Sequence, residues 1–355
     1  MGGGPARLGG GGRGPAAGGP AGDGGRTSPA VRGAWLRWVP GLLVGGVASW
    51  ALLQGLDWAG VAAALRGLQV PWAVAALACS GGTLAAKALR WRTLAGSSGR
   101  QVGVRAFLAM EWAGLLLNQT LPAHLGDGAR ALLLGRAQGA YGEAAGTVLV
   151  EKAMDSLVLL ALLGGLLPFV PFPPWLRAGG LGFGLGFLGV LAGLLVLGLA
   201  PVERAVPWRP LQALLAREEF LPGLRAGLRG CWRAWAPWAW SVPVWCLGGL
   251  TNALAFRALG LPLGGVAAAL VLAVLYLGRA VPQPPGQVGV FQVLCLAALA
   301  PFGVGREEAL GYGILLHLVV LVPLALGGLW GLGYVGHLWP RWREAWREVT
   351  DQEGR

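Results

Sequence analysis

Four acids and several bases stand where an otherwise apolar chain should hold none. Glu111 and Asn118 are seven residues apart and share a helical face, and Thr147, Glu151 and Asp155 recur at every fourth residue to make a polar stripe on a later segment. Stacked carboxylates repel unless a cation lies between them or one is protonated. Lys152, three residues before Asp155, can serve one acid; Arg130 and Arg279, each close to a break in an apolar run, are the other candidate partners. A charge inside a bilayer costs about 2.5–3.5 kcal/mol on insertion scales, so each needs a partner or a purpose. Two uses are open. The groups pin helices together as buried ion pairs and face no ligand, or they line a hydrophilic cavity in which arginines hold a lipid phosphate.

Two interruptions sharpen the second use. The apolar run Ala106 to Leu117 is broken by Asn118, Gln119, Pro122, His124, Gly126, Asp127 and Arg130 before a second apolar piece, Ala131 to Leu134. Later, Val281-Pro282-Gln283-Pro284-Pro285-Gly286-Gln287-Val288-Gly289 separates two short apolar runs, and its prolines forbid a continuous helix. A break at membrane depth must be buried in protein or line an aqueous cavity, which predicts a re-entrant helical hairpin at the first break. Helix starts near Gly126 and Gly286 would offer free amides and a positive dipole end to an anion. The plain alternative for the second break is a tight loop between helices. Two Gly/Pro-broken segments, one in each half, point instead to a transport site. The candidate substrate-binding residues are Asn118, Pro122, Gly126, Asp127, Arg130, Glu151, Lys152, Asp155, Arg279, Pro285, Gly286 and Gly289, with Glu111 and His124 secondary.

The elements that must position these residues follow from composition. Of 355 residues 55% are hydrophobic and 12% charged, the mean hydropathy is +0.59, and the apolar residues fall in runs long enough to cross a bilayer core of roughly 30 Å. The fold class expected is all-α, a polytopic membrane bundle of about eight transmembrane helices plus the re-entrant hairpin. Spans are predicted near Val39 to Leu56, Val70 to Leu89, Glu143 to Val170, Ala178 to Leu199, Ala234 to Leu259, Pro262 to Val281, Val288 to Phe302 and Glu307 to Trp339. Trp35, Trp38, Trp58 and Trp72 sit at span ends as an interfacial belt. Residues 59 to 68 are too short to cross and are expected along the outer surface.

The net charge of +12 is set by arginines between the apolar runs, with no polar face bearing interleaved aromatics, which excludes nucleic acid as partner. Residues 87 to 105, with Lys87, Arg90, Arg92, Arg100 and Arg105, and residues 201 to 233 read as cytoplasmic loops by the positive-inside rule. That places both termini in the cytoplasm of a cell whose Arg-, Gly- and Ala-rich usage suits a bacterium, hence the inner membrane. Residues 1–33 are a Gly/Pro/Arg-rich tail expected to be disordered, 34–339 the transmembrane domain and 340–355 a short cytoplasmic tail. Pro207 to Arg233 predicts a surface-lying amphipathic helix.

Other chemistries find little support. Cys79, Cys231, Cys246 and Cys295 are dispersed, and His124, His317 and His337 lack ligand spacing, so neither a disulfide framework nor a metal or other cofactor is expected. Asn118-Gln119-Thr120 fits a glycosylation sequon but falls inside the membrane region. Gly180, Gly182, Gly184 and Gly186 suit close helix packing, not a nucleotide loop. No nucleophile elbow, P-loop or metalloprotease motif is present.

Four blocks carry a resemblance: Ala88-Leu89-Arg90-Trp91, Asn118 through Arg130 as N-x-x-L-P-x-x-x-G-D-x-x-R, Glu151-Lys152-Ala153-Met154-Asp155, and Val281 through Gln292. In this order and spacing the chain resembles the lysylphosphatidylglycerol synthase transmembrane-region family, the flippase-like domain proteins, from about Leu36 to Trp339. The resemblance implies translocation or handling of an anionic or aminoacylated phospholipid, or of a polyprenyl-linked precursor. It also implies departures: the family has Arg at His124, Glu at Asp127, Arg at Lys152, Gly at Gln287 and Glu at Gln292, which makes Gln292 a further secondary candidate. Lysine for arginine keeps charge and loses bidentate phosphate geometry. In some members a soluble aminoacyltransferase domain follows; here Pro340 to Arg355 is all that follows, so lipid modification is expected from a separately encoded enzyme. The rival class is a membrane-embedded glycosyltransferase or accessory subunit using Asp127 or Asp155, although no Asp-x-Asp metal signature occurs.

Overall fold

The computed structural model describes residues 39–54, 56–96, 101–121, 125–170, 174–199, 235–279 and 283–353, together with Gly2 and Arg225. The predicted N-terminal tail and most of the proposed amphipathic helix lie outside these residues. Eleven α-helices, two 3-10 turns and no strand make up the described residues. In chain order they are α1 (Val39–Leu53), α2 (Trp58–Arg66), α3 (Val70–Leu94), α4 (Val104–Thr120), α5 (Leu125–Gln138), α6 (Tyr141–Leu166), α7 (Pro174–Leu199), α8 (Trp235–Ala258), α9 (Gly265–Gly278), α10 (Val290–Leu299) and α11 (Arg306–Glu353). The 3-10 turns are Pro285–Gln287 and Ala300–Phe302.

Two helices are long and apolar enough to cross a membrane, α3 with 25 residues and the Arg306–His337 part of α11 with 32. At about 1.5 Å per residue both exceed a core of roughly 30 Å. Shorter apolar helices are Val39–Trp50, Ala178–Gly189, Gly265–Gly278 and Val290–Phe302. Beyond Trp339, where a tail was predicted, α11 continues as helix to Glu353. Residues 58–66 form a short helix whose first turn is capped by Asp57 accepting from the Ala59 amide at 2.9 Å.

The spine of the bundle is the pair α3 and α8, which run antiparallel. The Gln69 amide at the start of α3 donates to the Ala258 carbonyl at the end of α8, 2.8 Å away. Near the same end the Arg257 guanidinium stands 5.2 Å from the Trp72 ring, and at the other end Arg90 reaches the Ser241 hydroxyl at 3.4 Å. Helices α4 and α11 also run antiparallel: Ala109 abuts Gly331, Trp112 lies 5.5 Å from Trp330, and Leu116 abuts Gly328. One apolar core joins α3, α6 and α8 to α11; a second gathers Trp91, Phe107, Met110, Leu134 and Met154 where α3 ends and α4 to α6 meet.

The first break is shorter than in the sequence reading, with a helix start near Gly126 as expected, and the second differs from it. Helix α4 runs through Asn118 to Thr120, and α5 already begins at Leu125, so Gly126, Asp127 and Arg130 are helical and not part of the break. The cause is local. The Asn118 side-chain oxygen accepts from the Asp127 amide at 3.1 Å, which satisfies a first-turn donor and extends helix on both sides. At the second break Gly286 does not start a helix. It sits in the 3-10 turn with φ 70°, and α10 begins four residues later, capped by Gly289 at φ 82°. A side chain at Gly289 would collide with Ser49 on α1, so that capping position requires glycine.

Candidate functional site

Helices α3, α4, α5 and α6 each send charged side chains to one point. Arg90 lies at the end of α3 and is fully buried; its two terminal nitrogens sit 2.6 and 3.0 Å from the Asp155 oxygens, and one is 3.3 Å from Glu151. Arg130, also fully buried, bonds Glu111, lies 2.9 Å from Glu151 and 3.3 Å from Asp127. Glu151 therefore bridges the two guanidiniums. Lys152 closes the edge with a 2.9 Å ion pair to Asp127.

The surroundings hold these groups in place. The Arg130 guanidinium is 5.0 Å from the Trp91 ring, whose indole nitrogen donates to the Thr147 hydroxyl at 3.0 Å and whose edge meets Phe107 at 5.1 Å. Gly126 lets α5 close on α4: a Cβ there would strike the Gly114 carbonyl and lie 2.7 Å from the Asn118 oxygen. That approach brings Arg130 to Glu111.

Arg90, Arg130 and Lys152 face Glu111, Asp127, Glu151 and Asp155, and the buried Lys87, three residues before Arg90 on α3 with its ammonium 5.4 Å from the Tyr276 ring, brings a fourth positive charge to the same region. The network is balanced in charge when every group is ionised. Exposure is graded across it: the side chains of Glu111 and Glu151 are 0% and 2% exposed, Asp155 and Asp127 13% and 14%, and Lys152 46%. The interior is sealed and the Asp127–Lys152 side is open. Nη1 of Arg130 is shared by Glu111 and Glu151 and Nη2 lies 3.3 Å from Asp127, which places this guanidinium inside the ion-pair network.

The remaining candidates go elsewhere. Arg279, expected beside Arg130, is the exposed C-cap of α9, with its guanidinium 4.6 Å from the Tyr276 ring. Pro122 and His124 lie outside the described residues. Pro285, Gly286 and Gly289 form the turn before α10. There the Gly289 amide donates to the Gln292 side-chain oxygen at 2.9 Å, and the Gln292 amide nitrogen lies 3.0 Å from His317 Nδ1. The His317 ring stacks on Phe291 at 4.6 Å.

Sequence reasoning missed Arg90 and Lys87 as site residues. Both were assigned to a cytoplasmic loop as topology markers, but Arg90 is 0% and Lys87 6% exposed, so neither is a surface charge. A signal was available: four intramembrane acids outnumber Arg130 and Lys152, and the nearest further bases on an apolar run are Lys87 and Arg90.

Among the described residues no group of three His, Cys, Asp or Glu side chains is arranged to hold a metal ion. Neither a search of curated proteins nor one of solved structures returned a match. The model of one family, described as lysylphosphatidylglycerol synthase TM region, matches residues 38–328, the stretch that contains the whole charged network and both breaks. The chain belongs to the lysylphosphatidylglycerol synthase TM region family.

Proposed function

We propose that this chain translocates or otherwise handles a membrane phospholipid, and that the headgroup is met at the Asp127–Lys152 edge of the charged network. The observation that carries this reading is the gradient of exposure, from fully buried Arg130 and Glu111 to half-exposed Lys152, across groups that are all within ion-pair reach. A network built only to pin helices has no use for an open edge bearing both signs of charge. An edge with Lys152 and Asp127 side by side suits a headgroup carrying a phosphate together with an amine, whether zwitterionic or aminoacylated. Arg90 and Arg130 then position Asp155, Glu151 and Asp127 and do not touch lipid.

The membership of the chain in a membrane-region family supports a bilayer setting. In the proposed arrangement six helices, α1, α3, α6, α7, α8 and α11, cross a bacterial inner membrane with both termini in the cytoplasm, two fewer than the eight expected from the sequence because α9 and α10, like α4 and α5, form a hairpin. Helix α10, at 10 residues about 15 Å long, is too short to cross and forms part of a re-entrant element. The rival glycosyltransferase reading needs a free acid, and Asp127 and Asp155 are held by Lys152 and Arg90.

The test is reconstitution of the purified chain into vesicles with a fluorescent phospholipid on the inner leaflet. Transfer to the outer leaflet should exceed that of protein-free vesicles and fall in Lys152→Ala. Transfer at the protein-free rate with phospholipid and polyprenyl phosphate cargo alike would refute the proposal.

A further inference from the structure

Helices α3 to α6 and α8 to α11 follow one plan: a long helix, two shorter helices separated by a break, and a second long helix. The packing repeats as well. Within each half the opening helix touches the first short helix, the short helices touch one another, and the second short helix touches the closing one. Between the halves, α4 packs on α11 and α9 packs on α6, two contacts that exchange under a two-fold rotation, while α3 on α8 maps onto itself.

Individual residues obey the same relation. Trp91, in the last turn of α3, bonds Thr147, the seventh residue of α6; Phe256, in the last turn of α8, stacks at 4.6 Å on Tyr312, the seventh residue of α11. The second short helix is tied to the closing helix by a polar pair in both halves, Arg130 to Glu151 and Gln292 to His317.

We infer that residues 70–166 and 235–337 are two copies of one four-helix unit set in opposite orientations, with the headgroup route running between their two hairpins. The antiparallel pairing of α3 with α8 fixes the orientation. The Ala258 end of α8 lies beside the Gln69 end of α3, so the α9–α10 hairpin starts from one end of the bundle and the α4–α5 hairpin from the other. The hairpins converge. Helix α4 touches the Pro285–Gln287 turn, and its course along α11 from Gly331 to Gly328 aims its last turn at the part of α11 that carries His317. Opposed hairpins of this kind let one site communicate with either face as the two units rock against each other. The copies differ in charge, ionic around Arg130 and neutral at Gln292 and His317, so the first hairpin holds the headgroup and the second acts as its uncharged counterpart.

The identity of the cargo rests on the proposed lipid function, but the inverted repeat does not. The test therefore reads topology in the full chain. Single reporter substitutions, Gly103→Cys before α4 and Gly264→Cys before α9, stand at exposed positions where a Cβ meets nothing within 4 Å. In a background with Cys79, Cys231, Cys246 and Cys295 replaced by alanine, a membrane-impermeant maleimide should label one reporter only in right-side-out vesicles and the other only in inside-out vesicles. Because replacing buried Cys295 can impair folding, short epitopes inserted in the same two loops of the native chain, read by antibody in the same vesicles, give a second measure. Reporters on the same face, by either method, overturn the inference. Opposite faces in a chain that moves no lipid would leave the repeat standing and remove only the lipid reading.

Discussion

Arg90 and Asp155, on α3 and α6, form a two-pronged ion pair, with guanidinium nitrogens 2.6 and 3.0 Å from the two carboxylate oxygens. The same guanidinium touches Glu151, which in turn touches Arg130. Arg90 therefore neutralises Asp155 and shares Glu151 with Arg130.

Removal of that side chain should be costly. Arg90→Ala leaves the largely buried Asp155 without its partner and the buried Glu151 with Arg130 alone, and breaking a buried pair from one side costs up to about 3–5 kcal/mol. Arg90→Lys keeps the charge and loses the fork, so its loss should be smaller. Arg90→Met combined with Asp155→Leu should recover part of the stability of Arg90→Ala, because no isolated charge remains there. Thermal unfolding in detergent reads all three; an unchanged midpoint for Arg90→Ala would contradict the network.

The approach of α5 to α4 makes a sharper prediction, since it compares glycines two residues apart. Gly126→Ala drives a methyl into the Gly114 carbonyl and should cost about 1–3 kcal/mol by overpacking. Gly128→Ala meets nothing within 4 Å and should change stability by less than about 0.5 kcal/mol, or raise it slightly through helix propensity. Equal effects in the same unfolding assay would mean that the helices do not meet at Gly126.

Much of this was legible in the sequence, for reasons that particular residues make plain. Apolar runs, the Pro71 start of α3 and the proline-rich second break mark helices and interruptions directly, because they act through local backbone physics. The i, i+4 stripe of Thr147, Glu151 and Asp155 likewise announced a polar face on α6. Partners were not legible. Asp155 pairs with Arg90, 65 residues away, and not with Lys152 nearby on its own helix, and nothing in local spacing encodes that choice. Arg90 was also disguised by Trp91 and Arg92, which give it the look of an interfacial anchor. The helix start near Gly126 was legible, but its cap was not, because the Asn118 oxygen that accepts from the Asp127 amide comes from the preceding helix.

At the second hairpin the cap itself is testable. Gln292→Ala leaves the Gly289 amide and His317 without their partner, and an unsatisfied buried group costs about 1–3 kcal/mol. Gln292→Glu keeps an acceptor for the amide and should be better tolerated. Hydrogen exchange at Gly289 and Val290 checks this: faster exchange in the alanine variant than in the glutamate variant is the expected result, and the same rate in both would show that the side chain does not cap α10.

Lys152 separates the lipid reading from a purely structural one. It is the most exposed member of the network, and an exposed ion pair contributes at most about 1 kcal/mol to stability, so Lys152→Ala should unfold close to wild type. A lost charged hydrogen bond to a headgroup phosphate is worth about 1.5–3 kcal/mol, or roughly tenfold or more in transfer of an anionic phospholipid. Lys152→Arg should restore transfer, since the arginine also carries a donor to phosphate. Asp127→Asn, which removes the acid beside the ammonium, should instead weaken transfer of lipids whose headgroup bears an amine and leave a purely anionic lipid little affected. Rates measured by quenching a fluorescent headgroup label from outside the vesicle distinguish the cases. Should Lys152→Ala and Asp127→Asn both fold and both move anionic and amine-bearing lipids at the wild-type rate, the open edge of the network has no contact with cargo, and Arg90, Arg130 and their acids serve only to hold α3 to α6 together.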